Sequence, residues 1–138
     1  MITKILVPID GSKNSEKGLK YACWLAGKVE AEITVLHVVT IPYTGESIGF
    51  QIAPLEDAGR EILKHAEKLI EENCAKAKYV LREGAGNASH EIVTYAKDNH
   101  FSIIVMSAKG HSALAHLFMG SVSETVSKHA PCSILIVK

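Results

Sequence analysis

A single α/β domain, built on five parallel strands wound on both sides by helices, is the fold this sequence predicts. Three observations point to it. Five short apolar runs stand out, at Ile5 to Ile9, Ile33 to Val39, Tyr79 to Leu81, Ile103 to Met106 and Ile134 to Val137. Most are continuous rather than alternating, as strands buried on both faces of a parallel sheet are. Helical stripes separate them, so strands and helices alternate strictly, and such alternation gives a doubly wound sheet with right-handed crossovers. The 138 residues suit one compact domain over 1–138 with one core, and no internal repeat or low-complexity segment competes.

The first run, strand one, ends in Asp10-Gly11-Ser12, a turn and a helix start. Leu19, Ala22, Cys23 and Ala26 then form the stripe of helix one. After strand two, the segment Thr40 to Pro54 carries Ile41, Tyr43, Ile48, Phe50 and Ile52 among Pro and Gly, and is longer than most crossover loops. Two readings stand side by side: a lid or partner surface, or a segment that is partly disordered or packs against a second copy. Helix two is marked by Leu55, Ala58, Ile62, Ala66, Leu69 and Ile70, helix three by Ile92, Val93 and Ala96, and helix four by Val122, Thr125, Val126 and His129. Between strand three and helix three, Gly84-Ala85-Gly86-Asn87-Ala88-Ser89 imitates a dinucleotide fingerprint, but lacks its third glycine and the acidic residue that should end the next strand. A turn with a helix cap at Asn87 or Ser89 is the expected structure.

Fifteen Lys and Arg balance fifteen Asp and Glu, so there is no basic footprint for nucleic acid and no polybasic patch for a membrane. Apolar runs fall short of spanning length, and Met1 to Asp10, with a lysine inside its short apolar run and no cleavage site, predicts a strand rather than a signal peptide. Cys23, Cys74 and Cys132 lie far apart and form no metal-type pair, so they are expected as reduced thiols. His111 and His116 are spaced five apart, off a shared helical face, which argues against a zinc site, and His37 in an apolar strand is expected to be a satisfied core histidine. A soluble, cytoplasmic protein is the expectation.

Chemistry concentrates in the last third. Ser107-Ala108-Lys109-Gly110 is followed by nine residues and then by Gly120-Ser121-Val122-Ser123. The pattern joins a buried strand to a helix through small residues, which lets a polyanion approach the backbone and meet the free amides of the helix start. A Walker loop is excluded, because the gap is too long and the Gly27-Lys28 pair is followed by Val29. Ligands of doubly wound sheets sit beyond the carboxyl ends of strands where strand order reverses, and the unusual residues here follow strands one and four.

These residues resemble the universal stress protein family, whose ATP-binding members carry Gly, two residues, Gly, nine residues, then Gly and Ser or Thr. The likeness runs from Ile5-Leu6-Val7-Pro8-Ile9-Asp10-Gly11-Ser12 through Leu36-His37-Val38 to Ser121-Val122-Ser123-Glu124 and Ile134-Leu135-Ile136-Val137. Gly110 and Gly120-Ser121 match in register, whereas Ser107 stands where the nucleotide-binding members have glycine. The resemblance implies a Rossmann-like sheet of order 3-2-1-4-5, ATP between strands one and four, Mg2+ or Mn2+ carried by its phosphates, and homodimers joined through Ser133 to Val137. It implies Pro8 and Asp10 at the base or ribose end, Val38 meeting the adenine edge through its backbone, Ser107, Lys109, Gly110, His111 and Ser112 along ribose and phosphates, and Gly120, Ser121, Val122 and Ser123 as an anion cradle.

Duller roles stand beside these. Asp10 or Ser12 caps helix one equally well, Ser121 is a natural N-cap, and Lys109 and His111 suit a solvated loop. Ser107 admits two readings: a left-handed backbone that serine resists, which is preferred, or an extended one whose hydroxyl meets the ligand. The resulting expectation is an ATP-binding regulatory or stress-response protein with no catalytic residue, against a slow ATP hydrolase or a nucleotide-free module with an unknown protein partner.

Overall fold

The computed structural model describes residues 1–41, 49–73, 76–108 and 119–138. Five strands, β1 (Lys4–Pro8), β2 (Glu32–Ile41), β3 (Ala77–Ala85), β4 (Ile103–Ser107) and β5 (Ser133–Val137), alternate with α1 (Lys13–Val29), α2 (Gly49–Asn73), α3 (Ser89–Asp98) and α4 (Ser121–His129). They form one all-parallel sheet of order β3-β2-β1-β4-β5, as the resemblance implied.

Side chains along a strand alternate between faces, and here each face has its own core. Ile5, Val7, Ile33, Val35, Ile103 and Val105 pack under α1 and α2 with Leu19, Ala22, Ala26, Ala66 and Ile70. Leu6, Leu36, Val38, Ile104 and Met106 pack under α3 and α4 with Ile92, Ala96 and Val126. This two-sided burial is why the central strands read as continuous apolar runs. Each fully buried Leu, Ile or Val contributes roughly 1.5–3 kcal/mol.

Ser12 caps α1: its Oγ accepts from the Ser15 N–H at 3.2 Å, and the Ser15 hydroxyl donates back to the Ser12 carbonyl at 2.8 Å. Before α3 the N-cap is instead Ala88, which makes no side-chain cap bond, and Asn87 holds the preceding turn, its Oδ1 accepting from the Ser89 N–H at 2.9 Å. Among the described cysteines Cys23 is buried and Cys132 half-buried, and burial pushes the Cys132 thiol pKa up. Cys74 lies outside them. No described helix is long and apolar enough to cross a membrane.

Three sequence expectations change. The segment Thr40 to Pro54 is not one long loop: β2 continues to Ile41, residues 42–48 lie outside the described residues, and α2 has begun by Gly49. Pro54 sits inside that helix. It lacks an N–H, but the carbonyl left without that bond lies in the first turn, next to the helix's open end. β3 runs over Ala77–Ala85 rather than Tyr79 to Leu81, because a sheet-edge strand tolerates Lys78, Arg82 and Glu83, which interrupt the apolar pattern. His129 falls on the exposed side of α4, where its Nδ1 contacts the Thr125 carbonyl at 2.9 Å.

Candidate functional site

At the carboxyl ends of the strands lies a cleft of about 600 Å³, within the usual range for small-molecule sites. It opens because β1 stops pairing with β4 early and ends before β2 does. In a parallel ladder, alternate residues turn their N–H and C=O to opposite sides. The Lys4 carbonyl accepts from Ser102 N–H on the β4 side, and Ile9 N–H donates to the Leu36 carbonyl on the β2 side. Even-numbered β1 residues therefore face β4 and odd-numbered ones face β2. Pro8 faces β4 without a donor, and the β1–β4 register stops at Leu6↔Ile104. On the other side the register ends at Pro8↔Leu36 while β2 continues to Ile41. By the same alternation, the Val38 N–H and C=O point to the side where β1 has ended.

Pro8, Asp10, Val38, Ser107, Gly120, Ser121, Val122 and Ser123 all line this cleft. Lys109, Gly110, His111 and Ser112 lie outside the described residues, so nothing is placed for them. Asp10 is the one acidic or basic Asp, Glu, Lys or Arg side chain among the described lining residues. Its Oδ1 accepts from the Ser12 N–H at 2.9 Å, which holds the turn into α1. Both roles weighed for this turn are thus divided between two residues: Ser12 caps the helix and Asp10 borders the cleft.

The start of α4 is tied back to the end of β4. Ala108 N–H donates to the Val137 carbonyl at 2.9 Å, and Gly120 N–H donates to the Ala108 carbonyl at 2.6 Å. The Ser123 hydroxyl lies 3.0 Å from both the Ala108 and the Gly120 carbonyls. Its proton is thus shared between carbonyls of the protein. Gly120, not Ser121, is the N-cap, with φ −63° and ψ 153°. That is ordinary extended backbone, so no left-handed turn calls for glycine here. The first intrahelical bond runs from Glu124 N–H to the Gly120 carbonyl at 2.9 Å. The amides of Ser121, Val122 and Ser123 have no partner within the helix and set a partial positive charge at the rim of the cleft.

The preferred, left-handed reading of Ser107 is overturned. Glu30 and His100 are the non-glycine residues with positive φ among those described, so Ser107 does not occupy the left-handed region. Its hydroxyl donates to the Asn14 carbonyl in α1, across a close helix-to-strand contact. Gly18 makes that contact possible, since a Cβ there would lie 3.2 Å from Ser107 Oγ and 3.3 Å from its N. The serine is a fastener between α1 and β4.

Other lining residues were missed from sequence. Gly86, Asn87 and Ala88 line the cleft from the β3–α3 turn, and Leu55, Ala58, Gly59 and Ile62 line it from α2. The turn was set aside as a failed dinucleotide fingerprint, although its place after a strand of a doubly wound sheet was itself a signal. Leu55 and Ala58 were counted as core; both are exposed at the cleft. Among the described residues no group of three or more His, Cys, Asp or Glu is placed to hold a metal ion.

This arrangement, a switch-point cleft with a backbone edge on one side and a helix start on the other, defines a Rossmann-like doubly wound α/β protein. The chain belongs to the universal stress protein family, whose description it matches over residues 1–138. It is 36% identical to the universal stress protein YxiE of Bacillus subtilis, with 100% of each chain covered. Among solved structures it is similar to the universal stress protein UspA from Lactobacillus plantarum, at TM-score 0.86 and 26% identity, with 99% of this chain and 97% of that one covered. Three universal stress proteins that share the fold at 16–20% identity were solved with cAMP, with dAMP (from Archaeoglobus fulgidus) and with AMP (from Arabidopsis thaliana), at TM-scores of 0.76, 0.74 and 0.68. They cover 99% or more of this chain and 91–98% of their own.

Ser107→Ala removes the bond to Asn14 and is expected to lower unfolding free energy by about 1 kcal/mol in urea titration. No change in stability would show that the hydroxyl does not hold α1 to β4.

Proposed function

We propose that this protein binds an adenine nucleotide, with ATP as the ligand, and acts as a regulatory or stress-response protein rather than a catalyst. The observation that carries the reading is the Val38 edge facing the start of α4 across one cleft. In β2, Val38 presents an N–H and a C=O side by side. Adenine offers the matching pair, an acceptor ring nitrogen beside an amino donor, whereas guanine offers the opposite pair. The apolar walls, including Ile92 and Met106, suit a purine ring, and the amides of Ser121 to Ser123 suit phosphate. Universal stress proteins of the same fold solved with cAMP, dAMP and AMP support adenine as the base.

In this reading Asp10 and Pro8 border the base or ribose, and Lys109, Gly110, His111 and Ser112 complete the phosphate side. A divalent ion, Mg2+ or Mn2+, arrives with the phosphates. Hydrolysis needs a positioned base for water and a group that stabilises the transferred phosphoryl. Asp10 is engaged by the Ser12 amide, and turnover would be slow. The competing nucleotide-free module rests on Ser107, which replaces a glycine of the ATP-binding motif. A cytoplasmic setting accompanies the reading.

We also propose a homodimer through β5. Both sheet edges are open in one chain, but they differ. The β3 edge carries Lys78, Arg82 and Glu83, charges that discourage strand pairing, while β5 is Ser133-Ile134-Leu135-Ile136-Val137. The Val137 carbonyl faces β4, so Ile134 and Ile136 turn their backbone groups outward. Exposed Tyr21 and Trp24, stacked edge-on with centroids 5.5 Å apart, lie beside Val137.

Isothermal calorimetry with ATP and GTP tests the ligand. ATP is expected to bind at least about tenfold tighter, a difference near 1.4 kcal/mol; equal affinities, or none at millimolar nucleotide, contradict the reading. Gly120→Val fits the extended backbone but fills the space before the α4 amides. It is expected to abolish ATP binding while leaving the unfolding midpoint unchanged, and retained affinity in the folded variant would remove α4 from the phosphate site. Sedimentation is expected to show a dimer at micromolar concentration and a monomer for Ile136→Pro, which deletes an outward donor. A monomeric wild type rules the β5 interface out.

A further inference from the structure

We propose that His37 is a positioning residue that holds the base-reading edge of the cleft open: its ring takes the Ile9 carbonyl and so withholds it from Val38, whose amide is left to face a ligand. This rests on the adenine-nucleotide reading above and gives its base edge a physical cause.

The β1–β2 ladder stops one rung before it must. Its last registered pair is Pro8↔Leu36. Ile9 N–H nevertheless still donates to the Leu36 carbonyl at 2.9 Å, so the two chains remain within bonding reach there. One further rung of a parallel ladder would set the Val38 N–H on the Ile9 carbonyl. That carbonyl is instead 2.8 Å from His37 Nδ1. A carbonyl only accepts, so Nδ1 carries the hydrogen and donates.

The ring reaches this carbonyl from outside the plane of the sheet. His37 lies on the same face of β2 as Ile33 and Val35, the face that packs under α1 and α2. A carbonyl oxygen drawn towards that face is turned away from the in-plane ladder. Gly59 of α2 sits over the ring: a Cβ there would lie 3.0 Å from His37 Cδ2 and 2.7 Å from Leu81 Cδ1. Helix and strand thus clamp the imidazole in its bonding position, which no larger residue at 59 would allow without a shift. Pro8 and His37 act on opposite sides of β1. The proline removes a donor towards β4, and the histidine occupies an acceptor towards β2.

Three variants separate this role from mere packing. His37→Asn keeps an amide donor at the position of Nδ1, His37→Gln moves it to the position of Nε2, and His37→Leu removes it. Hydrogen exchange at the Val38 amide, followed by NMR on the ligand-free protein, is expected to be at least about tenfold slower in the Leu and Gln variants, because the ladder gains its missing rung, and to stay near wild type in Asn. Adenine-nucleotide affinity should fall by at least about tenfold in Leu and Gln and by less than about threefold in Asn. Unchanged Val38 exchange in both Leu and Gln, or an Asn variant that behaves like them, overturns the proposal. A wild type that binds no adenine nucleotide would overturn the functional reading, and the exchange comparison would still decide the role of His37.

Discussion

The carboxyl end of β1 stops short of both neighbouring strands, and the rest of the site depends on that. A strand at the centre of a parallel sheet ordinarily hands its polar groups to two neighbours along its whole length. Here the pairing with β4 ends at Leu6 and the pairing with β2 at Pro8, while β2 and β3 pair on to Ile41 and Ala85. The reversal of winding between β1 and β4 sends α1 and α2 to one face and α3 and α4 to the other, which leaves a crevice at the switch point. Helix starts and backbone edges are therefore brought to one mouth by topology, before any particular ligand is considered.

Stability and site geometry share the same bonds at the opposite wall. Ala108 joins β5 through Val137, and its carbonyl receives both the Gly120 amide and the Ser123 hydroxyl. These bonds fix where α4 begins whatever path the chain takes between residues 108 and 119. Ser107 anchors the same strand end to α1. Two serines that look like ligand donors in a phosphate loop thus also act as fasteners.

The sheet was legible because Ile5 to Val7 and Ile103 to Val105 are buried on both faces, and such burial leaves a continuous apolar run. Where burial is one-sided or at an edge, legibility failed. The carboxyl half of β3 carries Arg82 and Glu83 and was read as loop. The start of α2 was masked by Pro54, whose usual meaning as a helix breaker gives way near a helix end, where a missing amide bond costs little. Leu55 and Ala58 followed the helical period correctly, yet the period does not distinguish a stripe facing core from one facing a cleft. Ser107 was hidden for a different reason: its bond to Asn14 needs the close approach that Gly18 permits, a residue 89 positions away that sequence spacing does not connect to it. The role of His37 was equally hidden, since a histidine in an apolar strand announces only that it needs a partner.

The central claim is that one cleft joins the Val38 edge to the start of α4 and takes an adenine nucleotide across that span. Titration of the 15N-labelled protein with ATP, followed by amide chemical shifts, tests it directly. The account predicts that Val38 shifts together with Ser121, Val122 and Ser123 along a single saturable curve. Shifts confined to residues outside the cleft, or none at millimolar ATP, would contradict it.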